Sequence, residues 1–218
     1  MKATKFIISA AFLFVSFYMV SCETPETETV DLTELETVDS DVLLKAASFT
    51  SDPTVLSPAE VNGLYLMREE EKMARDVYAF FYAKFKIRNF GNITKSENQH
   101  SEAVLRLINY FKLTDPTVAA VGKFTNPEMQ KLYDKFTTEA LTANDALKTG
   151  AFIEEYDIAD LKKLIAETEN ADIKLVYSNL LRGSTFHLKA FTSVLKFRGV
   201  IYTPTILSVE EYNAIVSK

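Results

Sequence analysis

Apolar residues recur every three or four positions along four long stretches of the chain, which is the spacing of one buried face of an α-helix. No stretch alternates steadily between apolar and polar residues, so β-strands are not predicted. The predicted helices cover about residues 58–85, 93–112, 143–169 and 171–198. Their inward-facing residues are Leu64, Met67, Ala74, Tyr78, Phe81, Phe85, Val104, Leu107, Phe111, Leu147, Ala151, Ile158, Leu161, Ile165, Val176, Leu180, Ala190, Phe191 and Val194.

Capping and breaking residues mark the ends of these helices. Arg88 to Asn92 predicts a break between the first two helices, and Asp115-Pro116 ends the second. A connection of about 30 residues follows, with a short helix that runs to about Glu139, and a last short helix starts near the C-terminus. N-terminal caps are predicted at Ser57, Asn126, Thr142, Asn170 and Ser208.

This pattern divides the chain into three parts. Residues 55–218 are predicted to form an all-α domain, and the long connection between the second and third long helices favours a ferritin-like four-helix bundle with short extra helices. Residues 22–54 carry eight acidic residues before Lys45, the first basic one, so self-repulsion predicts an acidic, disordered tether. Residues 1–21 have the layout of a signal peptide.

The N-terminal signal predicts export with a lipid anchor. Lys2 and Lys5 precede an apolar run over residues 6–20, and Met19-Val20-Ser21-Cys22 resembles a bacterial lipobox in which the cysteine is lipidated. The alternative is an ordinary signal peptide followed by an incidental cysteine. The expected location is the cell envelope, with the protein attached through its lipid to the outer membrane or the cell surface.

The composition of the chain limits the partners and the metal sites that it can have. A net charge of -6 argues against nucleic acid as a partner, because phosphate binding needs clustered lysine and arginine. Cys22 is the only cysteine, which excludes an internal disulfide, a rubredoxin-type iron site and a thiolate zinc site. Imidazole chemistry must use His100 and His187, the two histidines of the chain.

Ionisable residues interrupt the apolar faces of all four long helices. A carboxylate in an apolar core costs several kcal/mol unless it is paired or bound to metal. Two cations held by carboxylate oxygens and imidazole nitrogens would remove that cost, and a Glu-x-x-His spacing places both side chains on one helix face. The residues concerned are Glu71 on the first helix, Glu97 and His100 on the second, Glu154 and Asp157 on the third, and His187 on the fourth.

Each signal also has a structural explanation. Glu69-Glu70-Glu71 is a charge run of the kind that usually forms a solvated helix face, and the spacing of Glu97 and His100 occurs often by chance. A histidine such as His187 on an apolar face is more often a hydrogen-bonded core residue. The combination favours a metal centre, because both histidines of the chain fall on inward faces.

Two segments resemble known ligand motifs. Glu71-Lys72-Met73-Ala74-Arg75-Asp76-Val77-Tyr78 resembles the first-helix signature of the rubrerythrin and erythrin group, and Ser96-Glu97-Asn98-Gln99-His100 resembles its second-helix motif. From about Leu56 to Tyr212, the chain is similar to the ferritin-like family catalogued as domain of unknown function 2202. Markers of that similarity are Met67-Arg68-Glu69-Glu70-Glu71-Lys72, Ser96-Glu97 with His100, Gly150-Ala151-Phe152-Ile153-Glu154-Glu155 with Asp157-Ile158, and Gly183-Ser184 with His187-Leu188.

The resemblance implies a set of metal ligands and one departure from the pattern. Ser184 stands where the group has a glutamate three residues before His187, and Asp157 is the expected compensation. Tyr78 is expected beside the ligands, as a redox neighbour or as part of the core. A site with a single metal, or with none, also fits. The implied ligands of iron or manganese are Glu71, Glu97, His100, Glu154 and His187.

Two functions follow from these expectations. The first is a di-iron or di-manganese oxidoreductase of the ferroxidase or peroxidase type. The second is a non-catalytic cell-surface module that binds a partner or sequesters metal. Metal ions and a membrane, reached through the lipid on Cys22, are the expected partners, and a homodimer stays open.

Overall fold

The computed structural model describes residues 49–53 and 55–217. Cys22, the expected signal peptide and most of the expected tether lie outside the described residues. Within the range expected for the tether, the Phe49 ring packs 5.2 Å from that of Tyr110, and the backbone N–H groups of Thr50 and Ser51 donate to Asp172. These residues are therefore attached to the bundle.

The described part of the chain is all-helical and contains no strand, which confirms the predicted all-α helical bundle. None of its helices combines the length and the apolar character that a membrane span needs. The helices are α1 (Pro58–Phe85), α2 (Arg88–Tyr110), α3 (Pro127–Glu139), α4 (Ala143–Glu167), α5 (Ala171–Phe197) and α6 (Val209–Val216).

All five predicted caps are present. The side chains of Ser57, Thr142 and Ser208 form capping boxes, and Asn126 and Asn170 accept hydrogen bonds from the first turns of α3 and α5. Each cap satisfies backbone N–H groups that the helix itself leaves without a partner.

The predicted break at Arg88 to Asn92 is wrong, because α2 already begins at Arg88. The turn is made by Lys86, which has a φ of 56°, and Ile87. Gly91 lies inside the first turns of α2, and a Cβ atom there would meet the Tyr82 ring of α1 at 3.0 Å. The glycine therefore permits a close approach of the two helices instead of ending one of them.

The four long helices form a ring in which each neighbouring pair is antiparallel. α1 contacts α2 and α4, and α5 contacts the same two helices. Because α2 and α4 are both antiparallel to α1, they run in the same direction. The chain must therefore cross the length of the bundle, about 34 Å for the 23 residues of α2, before α4 can begin. This requirement explains the long connection, and α3 uses part of it to pack along α1.

The connection covers the outer face of α1. Glu69 accepts hydrogen bonds from the backbone N–H groups of Thr125 and Asn126, and Lys72 donates to the carbonyl oxygens of Ala120 and Lys123. Every residue of the polar run from Arg68 to Lys72 is consequently buried. The interpretation of the charge run as a solvated face is wrong, because a segment that is distant in the sequence covers it.

The apolar core has two clusters, one toward each end of the bundle. Phe81, Phe90 and Phe191 belong to one cluster, and Leu107 and Leu180 belong to the other. Along each long helix, the charged residues of the interior lie between members of the two clusters. They form a polar layer that is closed off by apolar side chains above and below.

Candidate metal centre

The polar layer brings together all six residues that the sequence analysis proposes as ligands. All four long helices contribute, and every one of these side chains is buried. Glu71 comes from α1, Glu97 and His100 from α2, Glu154 and Asp157 from α4, and His187 from α5.

Glu97 lies between the two histidines. Its Oε2 atom is 2.9 Å from Nδ1 of His100, and its Oε1 atom is 2.8 Å from Nδ1 of His187. The imidazole rings are stacked, with centroids 5.3 Å apart. Among the described residues, Glu97, His100 and His187 are the group whose ligand atoms all lie within 4.8 Å of one another, so they can share one cation.

Two further carboxylates flank the histidines. Oε2 of Glu71 is 3.3 Å from Nδ1 of His100, and Oε2 of Glu154 is 3.5 Å from Nδ1 of His187. Each imidazole therefore turns its Nδ1 atom toward two carboxylates, one of which is the shared Glu97.

The other ring nitrogen of His187 has a different partner, since Nε2 lies 2.9 Å from the Ser96 hydroxyl. Nδ1 approaches Glu97 closely but without the alignment of a hydrogen bond. A hydrogen bond at one ring nitrogen and carboxylates around the other is the usual environment of a metal-ligating histidine, in which the first contact fixes the ring and the tautomer. A cation bound there would take the place of the Nδ1 proton.

Tyr78 and Ser184 each hold one carboxylate of the layer. The Tyr78 hydroxyl donates to Oε1 of Glu154 at 2.6 Å, while its ring packs against Phe90 and Phe191. The Ser184 hydroxyl donates a hydrogen bond to Asp157. Tyr78 is thus both a core residue and a direct neighbour of a candidate ligand. Ser184 positions Asp157, the carboxylate that was expected to compensate for the missing glutamate at position 184.

The sequence analysis missed Glu70. This side chain is 1% exposed, and it lines the same small internal space as Glu71, Glu97, Glu154 and Asp157. A signal was available, because Glu70 is three residues after Met67 and four before Ala74, both on the buried face. The adjacent acidic residues concealed that spacing.

Burial and crowding shift the pKa values of these groups in opposite directions. Burial, followed by the charges of neighbouring carboxylates, raises the pKa of Glu70, of Glu71 and of Glu154, and it raises the pKa of Asp157 to about 8. For Glu97, burial acts in the same sense, but His187 and His100 outweigh it and lower its pKa. Burial opposes protonation of His187, and Glu97 and Glu154 outweigh that effect and raise its pKa. The layer therefore attracts positive charge strongly.

Two other buried glutamates show which hydrogen bonds a structural carboxylate makes in this protein. Glu69 accepts two backbone N–H groups, and Glu155 accepts the N–H groups of Thr205, Ile206 and Leu207 as well as the Tyr202 hydroxyl. Glu70, by contrast, has no hydrogen-bond partner at either oxygen. Glu70 thus lacks the donors that make Glu69 and Glu155 stable.

The donor set fits a transition-metal ion. Imidazole nitrogen suits iron, zinc, copper and nickel, carboxylate oxygen suits manganese and magnesium, and a mixture of the two is common at iron and manganese sites. The layer offers both kinds of donor in a buried interior, where a cation would offset the repulsion among carboxylates.

Comparisons with known proteins identify the family of the chain and support its fold. The chain is 46% identical over 164 residues to the uncharacterized protein MJ0754 of Methanocaldococcus jannaschii, which covers 74% of this chain and 89% of the relative. The crystal structure of the hypothetical protein MJ0754 matches this fold with a TM-score of 0.76 at 44% identity, over 79% of this chain and 98% of the other. Residues 60–218 match the uncharacterized protein domain DUF2202, and the chain belongs to that family.

Proposed function

We propose that this protein binds two transition-metal ions, iron or manganese, in a ferritin-like bundle and uses them in redox chemistry with oxygen or peroxide. The observation that carries the proposal is the charge of the polar layer. Five buried carboxylates face two histidines, and several of their oxygens have no hydrogen-bond partner. These carboxylates are Glu70, Glu71, Glu97, Glu154 and Asp157. Cations are the simplest way to offset that excess of negative charge.

The chain's own residues have distinct tasks in this proposal. Glu97, His100 and His187 would hold one ion, with Glu71 and Glu154 beside them to complete or bridge the coordination. Bound iron or manganese would supply electron transfer to oxygen or peroxide. The Tyr78 hydroxyl holds Glu154 in place and puts an oxidisable phenol next to a ligand. The aromatic cluster around Tyr78 keeps water away from that side of the layer.

A non-catalytic role as a metal-sequestering or partner-binding module is the second candidate. It is favoured by Ser184, which replaces a bridging carboxylate, and by the closed interior. The layer is shielded from solvent in this structure, because each candidate ligand is at most 6% exposed. Turnover of ferrous iron or peroxide by the metal-loaded protein distinguishes the two candidates, since sequestration requires no turnover.

Metal content tests the proposal directly. We expect the purified full chain, loaded with ferrous iron or manganese and freed of excess, to retain about two ions by elemental analysis. Replacing His187 with glutamine removes one nitrogen ligand and should reduce the content to one ion or fewer. The matched control is Glu102→Gln on the exposed face of α2, which should leave the content unchanged. A parent protein that retains no metal would exclude the proposal.

We also propose that the mature protein is a lipoprotein of the cell envelope, on the basis of the motif that ends at Cys22. Replacing Cys22 with serine removes the thiol to which the lipid would be attached. We expect the variant to lose both its membrane association and the mass added by the lipid. Membrane fractionation together with mass spectrometry of the intact chain measures both effects. Unchanged fractionation and unchanged mass would contradict the lipoprotein proposal.

A further inference from the structure

Glu70 has no structural explanation among the contacts that hold the bundle together. Its side chain is 1% exposed, and neither Oε1 nor Oε2 has a hydrogen-bond partner. A buried carboxylate without donors costs free energy whether it is charged or takes up a proton. Such a residue needs a partner, and the described part of the chain gives neither oxygen a hydrogen-bond donor.

The basic residues next to Glu70 in the sequence do not pair with it. The basic residues nearest in sequence are engaged elsewhere, because Arg68 pairs with Asp115 at 2.9 Å and Lys72 pairs with Asp76 at 2.8 Å. The charged groups that act most strongly on Glu70 are themselves carboxylates: Asp157, Asp160, Glu71 and Glu154. The field at this side chain therefore favours an added positive charge.

Glu70 and Glu71 are adjacent in sequence and are separated by about 100° around the axis of α1. Glu71 approaches His100 on α2 at 3.3 Å, and Asp157 of α4 is the charged group that acts most strongly on both side chains. The two side chains nevertheless line one internal space, together with Asp157.

Ser184 and Glu70 lie on opposite helices of the ring, since α1 and α5 are not neighbours. Ser184 donates a hydrogen bond to Asp157 and so fixes that carboxylate beside the internal space. The carboxylate that is missing from position 184 of α5 is thus matched by an additional one, at position 70 of α1.

We propose that Glu70, Glu71 and Asp157 form an oxygen-only subsite for a second divalent cation, next to the nitrogen-containing group of Glu97, His100 and His187. This inference rests on the proposed metal-binding function. It implies that the two metal positions differ in their ligand atoms. Carboxylate oxygens suit manganese, whereas a group with two imidazoles suits cobalt, zinc and iron. The protein therefore binds two different cations side by side.

The test is a sequential titration of the purified full chain. One equivalent of Co²⁺ should enter the nitrogen-containing group, and its visible absorption reports that environment. Mn²⁺ is then added, and its free concentration is followed by electron paramagnetic resonance. We expect the parent to bind about one Mn²⁺ per chain, and Glu70→Gln to keep its Co²⁺ spectrum but bind Mn²⁺ about 100-fold more weakly.

Asp157→Asn is the second variant, and Glu102→Gln is the control. Both site substitutions preserve side-chain shape and remove a charge from a crowded layer, so circular dichroism should report folded proteins. Equal Mn²⁺ affinity in the parent, Glu70→Gln and the control would overturn the subsite. A parent that binds Co²⁺ but no Mn²⁺ would also overturn it while leaving the proposed function intact. A parent that binds neither ion would exclude both.

Discussion

Replacing Glu71 with glutamine is expected to raise the melting temperature of the metal-free protein and to lower that of the metal-loaded protein. Without metal, the folded state must either keep this charge among other carboxylates or bind a proton, and both options cost free energy. Glutamine avoids both while preserving the shape of the side chain. We expect a gain on the order of 1–3 kcal/mol, which corresponds to roughly 2–12 °C for a domain of this size.

The metal-loaded protein should respond in the opposite direction, because the same substitution removes a ligand. At a free metal concentration of about 100 times Kd, the bound ion contributes roughly 2.7 kcal/mol to the free energy of unfolding. A variant that binds the ion more weakly loses much of this contribution. Melting curves of the parent, Glu71→Gln and Glu102→Gln, with and without ferrous iron or manganese, measure both effects. If added metal shifts none of the curves, the layer is a polar core and not a metal centre.

The metal-free protein is also expected to lose stability as the pH rises from about 5 to 8. The unfolded chain has ionised its carboxyl groups by pH 5, but the raised pKa of Asp157, about 8, keeps a proton bound there in the folded state. The raised pKa values of Glu70, Glu71 and Glu154 act in the same direction. Each proton that folding takes up lowers the unfolding free energy by about 1.4 kcal/mol per pH unit. For Asp157 this loss continues until the pH reaches about 8, where its carboxyl group ionises in the folded state.

The pair of His187 and Glu97 does not reverse this loss of stability with rising pH. The raised pKa of His187 acts in the same direction, because the stability gained from its charge is lost as the pH rises through that pKa. The lowered pKa of Glu97 contributes stability that is already complete above pH 5.

Bound metal is expected to remove the loss of stability at high pH, since cations compete with protons for the same atoms and bind more tightly as the pH rises. Urea denaturation at several pH values, with and without manganese, measures this difference. Asp157→Asn should flatten the metal-free profile, and Glu102→Gln should leave it unchanged. Metal-free stability that increases between pH 5 and 8 would contradict the assignment of these carboxylates.

The helices were predictable because their signals are local. Ser57, Thr142 and Ser208 lie within four residues of the groups that they cap, and the apolar spacing of each helix is visible in its own sequence. The start of α2 was missed because Gly91 usually marks a turn, whereas here it serves a contact with Tyr82 of the preceding helix. A contact of that kind cannot be deduced from helical spacing alone.

The convergence of the candidate ligands was predictable for the same reason, because each interrupts an apolar face. Glu70 was not predicted, because the acidic residues on either side of it concealed its place on the inward face, three residues after Met67 and four before Ala74. The burial of Glu69 could not be predicted, because residues 115–126 and α3 cover the outer face of α1. Periodicity identifies one buried face of a helix, and it does not show that a distant segment will bury the other.

The position of the polar layer between two helical hairpins also bears on how fast the protein unfolds. α1 and α2 form one hairpin and α4 and α5 the other, and the Ser96–His187 contact that joins them spans 91 positions of the chain. Contacts of such long range require that both hairpins have already docked, so they belong to the late stages of folding. Stabilisation gained there slows unfolding more than it speeds folding. A cation shared by the two hairpins would therefore give the protein kinetic stability, and its lifetime in the folded state would depend on the supply of metal.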